Sequence, residues 1–176
     1  FLYNISMLKI YQYTLSDPVN FEGKGLHSGK KVSIKVLPAK SDTGIIFKRT
    51  DLAEKNLIKA NYRNVSSAKL CTTLENKHGV KVSTVEHLLA ALYLSEIDNA
   101  LIEINNEEVP IMDGSAKIFM ETLQKAKIKK LNKRRKYLKV TDYFEFNDGG
   151  RKISIESNGS LEVQFQLNYI NEIIGK

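Results

Sequence analysis

Lys31-Val32-Ser33-Ile34-Lys35-Val36-Leu37 alternates polar and apolar residues with a period of two and stops at Pro38. Successive side chains of a strand point to opposite faces. The segment is therefore a half-buried strand that hides Val32, Ile34 and Val36 on one side only. The same short rhythm, broken by turn residues, continues downstream. Gly44–Lys48 reads as another strand, and Thr72–Glu75 and Val80–Ser83 flank Asn76-Lys77-His78-Gly79, a hairpin loop with Gly at its end. The period then changes. Val85, Leu88, Leu89 and Leu92 share one face of a helix over Thr84–Leu94. Ala100–Ile104 returns to strand, Pro110 stops it, and Ser115 caps a second helix over Ser115–Ala126. Tyr137–Asn147, Arg151–Ser157 and Leu161–Leu167 read as further strands, the first two joined across Asp148-Gly149-Gly150.

Short strands around two helices predict an α+β fold, a layer of sheet on two helices followed by the opening of a second sheet. The expected organisation is an N-terminal extension over 1–12, with the natural start at Met7, and a first α+β domain over 13–126. A basic linker over 127–136 and the opening strands of a second sheet over 137–176 follow. No internal repeat is visible.

The 176 residues are enough for one good core, and the 42% hydrophobic content is ordinary for a globular chain. A single cysteine excludes an internal disulfide and fits a reducing, cytoplasmic setting. The apolar run Leu88–Leu94 is seven residues, far too short to span a bilayer. Phe1–Ser6 has no basic region and no small-residue cleavage site, so it is a poor signal peptide. Lys125–Lys139 holds nine Lys or Arg and no acid, more than the +7 of the whole chain, so the remainder is close to neutral. Such a run is a solvated linker, a contact for RNA phosphates, or a contact for an anionic membrane surface. Only Tyr137 interrupts it with an aromatic ring, which argues against a nucleic-acid stacking platform.

The chemistry-bearing stretch is Val82-Ser83-Thr84-Val85-Glu86-His87-Leu88-Leu89-Ala90-Ala91-Leu92. Ser83-x-x-Glu86 fits a capping box, which places Glu86 and His87 on the first helical turn. Two readings stay open there. Glu86 is a capping partner and His87 a core histidine, or the pair serves a metal and a base. Around it stand Gly23-Lys24-Gly25-Leu26-His27-Ser28-Gly29, Gly44-Ile45-Ile46-Phe47-Lys48-Arg49-Thr50-Asp51 and Leu70-Cys71-Thr72-Thr73-Leu74. Ile97-Asp98-Asn99-Ala100 and Glu108-Val109-Pro110-Ile111-Met112-Asp113-Gly114-Ser115-Ala116 complete the series.

This ordered series resembles the UDP-3-O-acyl-N-acetylglucosamine deacetylases, zinc amidases that commit Gram-negative bacteria to lipid A synthesis. The resemblance runs from about Tyr13 to the C-terminus and is strongest from Gly23 to Phe119. It implies two facing β-α-α-β sandwich domains with the active site between them, so that 137–176 is the incomplete start of the second α+β domain. It also implies a Zn2+ cofactor and a UDP-sugar substrate bearing an acyl chain. A cytoplasmic enzyme that is monomeric at full length, with transient membrane-surface contact and no nucleic-acid partner, completes the expectation.

By resemblance, His87 is the first zinc ligand and Glu86 the general base. A catalytic zinc commonly has three protein ligands. The other two come, in this family, from a His-x-x-x-Asp motif in the second domain, where a further histidine aids catalysis. This sequence holds only His27, His78 and His87 and no His-x-x-x-Asp. The chain is thus expected to be a truncated form, inactive alone. The alternatives are an inactive substrate- or partner-binding remnant and a small basic RNA-binding domain. Asp113 is an orienting carboxylate or a turn residue, His27 a cleft or surface-loop histidine, and Cys71 a cleft residue or a small buried hydrophobe.

Overall fold

The structure, a computed structural model, describes residues 9–167. In chain order its strands are β1 (Tyr11–Leu15), β2 (Val19–Lys24), β3 (Lys31–Pro38), β4 (Ile45–Arg49), β5 (Leu57–Lys59), β6 (Val65–Ser67), β7 (Thr73–Glu75) and β8 (Lys81–Val82). Helix α1 (Glu86–Leu94), β9 (Ala100–Ile104), helix α2 (Lys117–Lys125), β10 (Ile128–Arg134), β11 (Phe144–Asp148) and β12 (Arg151–Ile155) follow. The chain is mixed α+β. Among the described residues no helix is long and apolar enough to cross a membrane.

Strand β3 buries Val32, Ile34 and Val36 and exposes Lys31, Ser33 and Lys35, as its period demands. It lies in a five-stranded sheet of order β2-β3-β9-β4-β5. Strand β9 is central, antiparallel to β3 (Val36↔Ile102) and parallel to β4 (Phe47↔Ile102). The chain therefore leaves β4, builds β5, a three-stranded sheet β6-β7-β8 and α1, and only then inserts β9 between its earlier strands. Leu88, Ala91 and Leu92 of α1 and Phe119 and Leu123 of α2 join the buried residues of the sheet in one hydrophobic cluster. Phe119 meets Phe21 of β2 edge to face at 5.0 Å between ring centroids. Such a pair contributes about 0.5–1.5 kcal/mol beyond its buried area.

Polar groups buried at the edge of this core are satisfied in a network. The Thr14 hydroxyl donates to the Asn99 carbonyl, Asn99 Nδ2 donates to Gln12 Oε1, and Gly44 N–H donates to Asn99 Oδ1. The hairpin between β7 and β8 turns at Asn76–Gly79, with Gly79 at φ +80. Only glycine adopts that conformation without strain.

Residues 127–136 are not a linker. Ile128–Arg134 is strand β10, paired antiparallel with β1 through Leu15↔Ile128, Thr14↔Lys129, Tyr13↔Lys130 and Tyr11↔Arg134. Apart from the half-buried Leu131 its residues are exposed, so solvation of the charges and strand pairing coexist. Lysines are well suited to such a strand because they discourage edge-to-edge association. The Lys130 ammonium stands 3.8 Å from the centroid of the Tyr11 ring, a cation–π contact.

Two further corrections concern strand extents. Of Tyr137–Asn147 only Phe144 onward is extended and paired, and Leu161–Leu167 forms no strand. Phe165 and its neighbours alternate apolar and polar, but among the described residues no strand is paired with them, and pairing is what makes a strand.

Ile10–Arg135 forms one compact unit, and Lys136–Leu167 belongs to another. Within the latter, β11 and β12 form a hairpin over Gly149 and Gly150, at φ +53 and +83. Positive φ at both central residues marks a type I′ turn.

Candidate active site

The passage from β8 into α1 contradicts the capping box expected from Ser83-x-x-Glu86. Ser83 N–H donates to the Glu107 carbonyl at 2.8 Å, so it has no need of the Glu86 carboxylate. Val109 N–H in turn donates to the Ser83 carbonyl at 3.0 Å. The residue at the helix boundary is Val85, with no side-chain cap, and Glu86 is the first helical residue. Helix α2 also begins later than expected, at Lys117, although Ser115 Oγ still accepts the Lys117 N–H at 3.1 Å.

With its capping role gone, Glu86 turns elsewhere. Its Oε2 accepts the Thr72 N–H at 3.1 Å, and Val85 N–H donates to the Thr72 carbonyl at 3.4 Å. The Leu70–Thr72 loop is thereby fastened to the start of α1. Cys71 is half-buried in that loop, its Sγ 3.9 Å from Thr73 Oγ1. Beside Glu86, the half-buried His87 keeps Nδ1 buried and without a hydrogen-bond partner among the described residues. Buried ring nitrogens normally have partners, and an orphaned one marks a site of strain, catalysis or metal binding.

Thr84, two residues before Glu86, has φ +56. The left-handed region is strained for a β-branched residue, by roughly 1–3 kcal/mol. Its hydroxyl donates to Glu108 Oε1 at 3.1 Å. The same carboxylate accepts the His27 N–H on Oε1 at 2.9 Å and the Ser28 N–H on Oε2 at 2.7 Å. Glu108 is 2% exposed. Burial opposes its charge, but the His27 N–H, the Ser28 hydroxyl and N–H, and the Thr84 hydroxyl outweigh it, so the carboxyl lies below its ordinary range.

His27 itself is exposed, on a loop whose Gly29 N–H bonds back to the Gly25 carbonyl. Asp113 is also exposed. Its Oδ1 accepts the Ser115 N–H and hydroxyl at 3.1 and 3.0 Å, and these bonds hold its carboxyl below the ordinary range.

The structure therefore ties Glu86, His87, the Cys71 loop and the His27 loop to one helix start, while Asp113 stays within its own turn. Glu108 is the member that the sequence pattern did not single out as functional. The signal available was a carboxylate at the head of the apolar Glu108-Val109-Pro110-Ile111-Met112 run.

The sequence pattern of the family described as UDP-3-O-acyl N-acetylglycosamine deacetylase matches residues 12–176. The chain belongs to this family. It is 42% identical over 166 residues to the UDP-3-O-acyl-N-acetylglucosamine deacetylase of Geotalea uraniireducens (strain Rf4), covering 94% of this chain and 54% of that one. The protein of the same name from Shewanella oneidensis is 39% identical over 167 residues, 95% of this chain and 55% of the relative. That from Citrifermentans bemidjiense is 41% identical over 165 residues, 94% and 54% respectively. The chain spans about half the length of these curated relatives.

The family implies a zinc ion. Among the described residues no group of three or more His, Cys, Asp or Glu is gathered to hold one. The orphaned, buried Nδ1 marks the His87 imidazole as a donor group lacking its partner, and Glu86 lies next to it with one oxygen committed. These two residues of the deacetylase-family chain fit one part of a zinc site.

Proposed function

We propose that this chain carries the Glu86–His87 part of a zinc-dependent amidase that removes the N-acetyl group from UDP-3-O-acyl-N-acetylglucosamine, the committed step of lipid A synthesis. The observation that carries this reading is the half-buried His87 with its orphaned ring nitrogen, adjacent to Glu86, within a family match over residues 12–176. A zinc ion lowers the pKa of water and polarises an amide carbonyl when bound. His87 would be one of its ligands.

Glu86 would act as general base. Its Oε2 is fixed by the Thr72 N–H, and Oε1 makes no hydrogen bond among the described residues, so a lone pair there is available for a proton from the attacking water. The Cys71 loop and His27 would line the cleft, and Asp113 would orient a group at its edge. The sheet and two helices would form a β-α-α-β sandwich, with the missing zinc ligands supplied by a second domain. The enzyme would be a cytoplasmic monomer, and the basic β10 strand would make its transient contact with an anionic membrane surface.

A second reading is an inactive substrate- or partner-binding module. One experiment separates the two. In the complete enzyme carrying this chain, Glu86→Gln keeps zinc and lowers turnover by about 10²–10⁴-fold, and His87→Ala loses zinc and turnover together. Near-normal turnover in Glu86→Gln, or no turnover in any metal-loaded form, would remove the amidase reading.

A further inference from the structure

We propose that Glu108 is the positioning residue of this site, one buried carboxylate that locks the His27 loop to the entry of α1 and so sets where Glu86 and His87 stand. The inference rests on the reading of Glu86 and His87 as the working pair. Glu108 is 2% exposed, so it does not itself meet a substrate.

Its two oxygens are saturated from two directions. The His27 and Ser28 N–H groups, at 2.9 and 2.7 Å, come from the loop after β2. The Thr84 hydroxyl, at 3.1 Å, comes from the residue that opens the turn into α1. An ionised carboxylate is an acceptor only, and bonds to it are about twice as strong as neutral ones. A buried carboxylate stripped of such donors is costly, so each partner is held firmly by the needs of the others.

Two backbone features belong to the same lock. A Cβ on Gly25 would fall 2.3 Å from Glu108 Oε2 and 2.3 Å from Ser28 Oγ, so the loop closes on the carboxylate only with glycine there. Thr84 is held at φ +56, a conformation it keeps while its hydroxyl is bound to Glu108. The left-handed turn at Thr84 sets the exit direction of the chain. Two residues later Glu86 reaches the Thr72 N–H. His27 and the Glu86–His87 pair thus share one support, over a sequence separation of 81 residues between Glu108 and His27.

The test uses the 176-residue chain, whose three histidines His27, His78 and His87 are separately resolvable by NMR. In Glu108→Gln the His27 and Ser28 amides should lose protection from hydrogen exchange by about tenfold or more, the worth of one charge-assisted bond. The ring signals of His27 and His87 should both move. His78, in the β7–β8 hairpin loop, should not. Thr84→Val, which removes only the hydroxyl contact, should shift His87 and lower the His27 amide protection, and Thr84→Ser should restore both.

If Glu108→Gln fails to fold, Thr84→Val decides. Unchanged His87 signals and unchanged His27 protection in that variant would overturn the proposal, as would a folded Glu108→Gln chain whose His87 is unaffected. In the complete enzyme Glu108→Gln should lower kcat at least tenfold with little change in KM; a change in KM alone would also overturn it. The NMR arm does not depend on turnover, so it stands apart from the test of Glu86 as the base.

Discussion

Replacing Arg135 by alanine should unfold the Ile10–Arg135 unit at a markedly lower temperature, although the residue lies in a run of nine cations that looks like a solvated tether. Its guanidinium pairs with Asp98, Nη2 donating to Oδ2 at 2.8 Å and Nε standing 2.7 Å from Oδ1, and Nη2 also donates to the Glu96 carbonyl at 3.1 Å. The two side chains are only 16% and 24% exposed, and Asp98 Oδ2 also accepts the Tyr13 N–H. Exposed pairs are worth about 0.2–1 kcal/mol, whereas breaking a fully buried pair costs about 3–5. A mostly buried ion pair with one such hydrogen bond falls between, at about 2–3 kcal/mol. At roughly 3–5 °C per kcal/mol for a domain of this size, the midpoint should fall by roughly 6–15 °C. Lys133, 62% exposed and 3.8 Å from Asp42, is the control, and Lys133→Ala should shift stability by no more than about 0.5 kcal/mol. Thermal melts of both variants, with an Arg135→Ala/Asp98→Ala double-mutant cycle, measure the coupling. Equal, small shifts for Arg135→Ala and Lys133→Ala would refute the structural role of the Arg135–Asp98 pair at the end of β10.

Glu108 should leave a signature in acid. Its folded carboxyl lies below the ordinary 4.5, so its contribution is complete above that value and is lost as pH falls through the lower folded value. Urea midpoints of the parent chain should therefore drop more steeply below about pH 4.5 than those of Glu108→Gln, and parallel curves would refute the linkage. For β10, glutamine at Lys129, Lys130, Lys133 and Arg134 should weaken binding to phosphatidylglycerol vesicles at least tenfold, at about 1 kcal/mol per surface charge. Binding by the parent chain no stronger than to phosphatidylcholine vesicles would refute the membrane contact.

The elements that local chemistry dictates were legible from the residues alone. The period of two in Lys31–Leu37 became β3 and Ala100–Ile104 became β9 with the expected bounds; of the apolar face Val85, Leu88, Leu89 and Leu92, Leu88 and Leu92 are buried in α1, Val85 is buried just before it, and Leu89 is half-buried. Gly79 and Gly149-Gly150 mark hairpins because positive φ is a property of single residues. The motifs holding Glu86, His87, His27 and Cys71 were visible as well, since they are strings of neighbours.

What remained hidden depends on partners distant in sequence. Strand β10 has no apolar alternation to announce it, and β1, its partner, lies over one hundred residues earlier. The capping box failed because the Ser83 N–H found Glu107, 24 residues away, a competitor that a local pattern does not contain. Glu108 reads as one more surface acid until the loop at Gly25–Gly29 closes over it and supplies two N–H donors. Period and turn chemistry are written in adjacent residues. Which donor satisfies a buried acceptor is decided only when the chain is folded, because the desolvation that makes the choice costly does not exist before then.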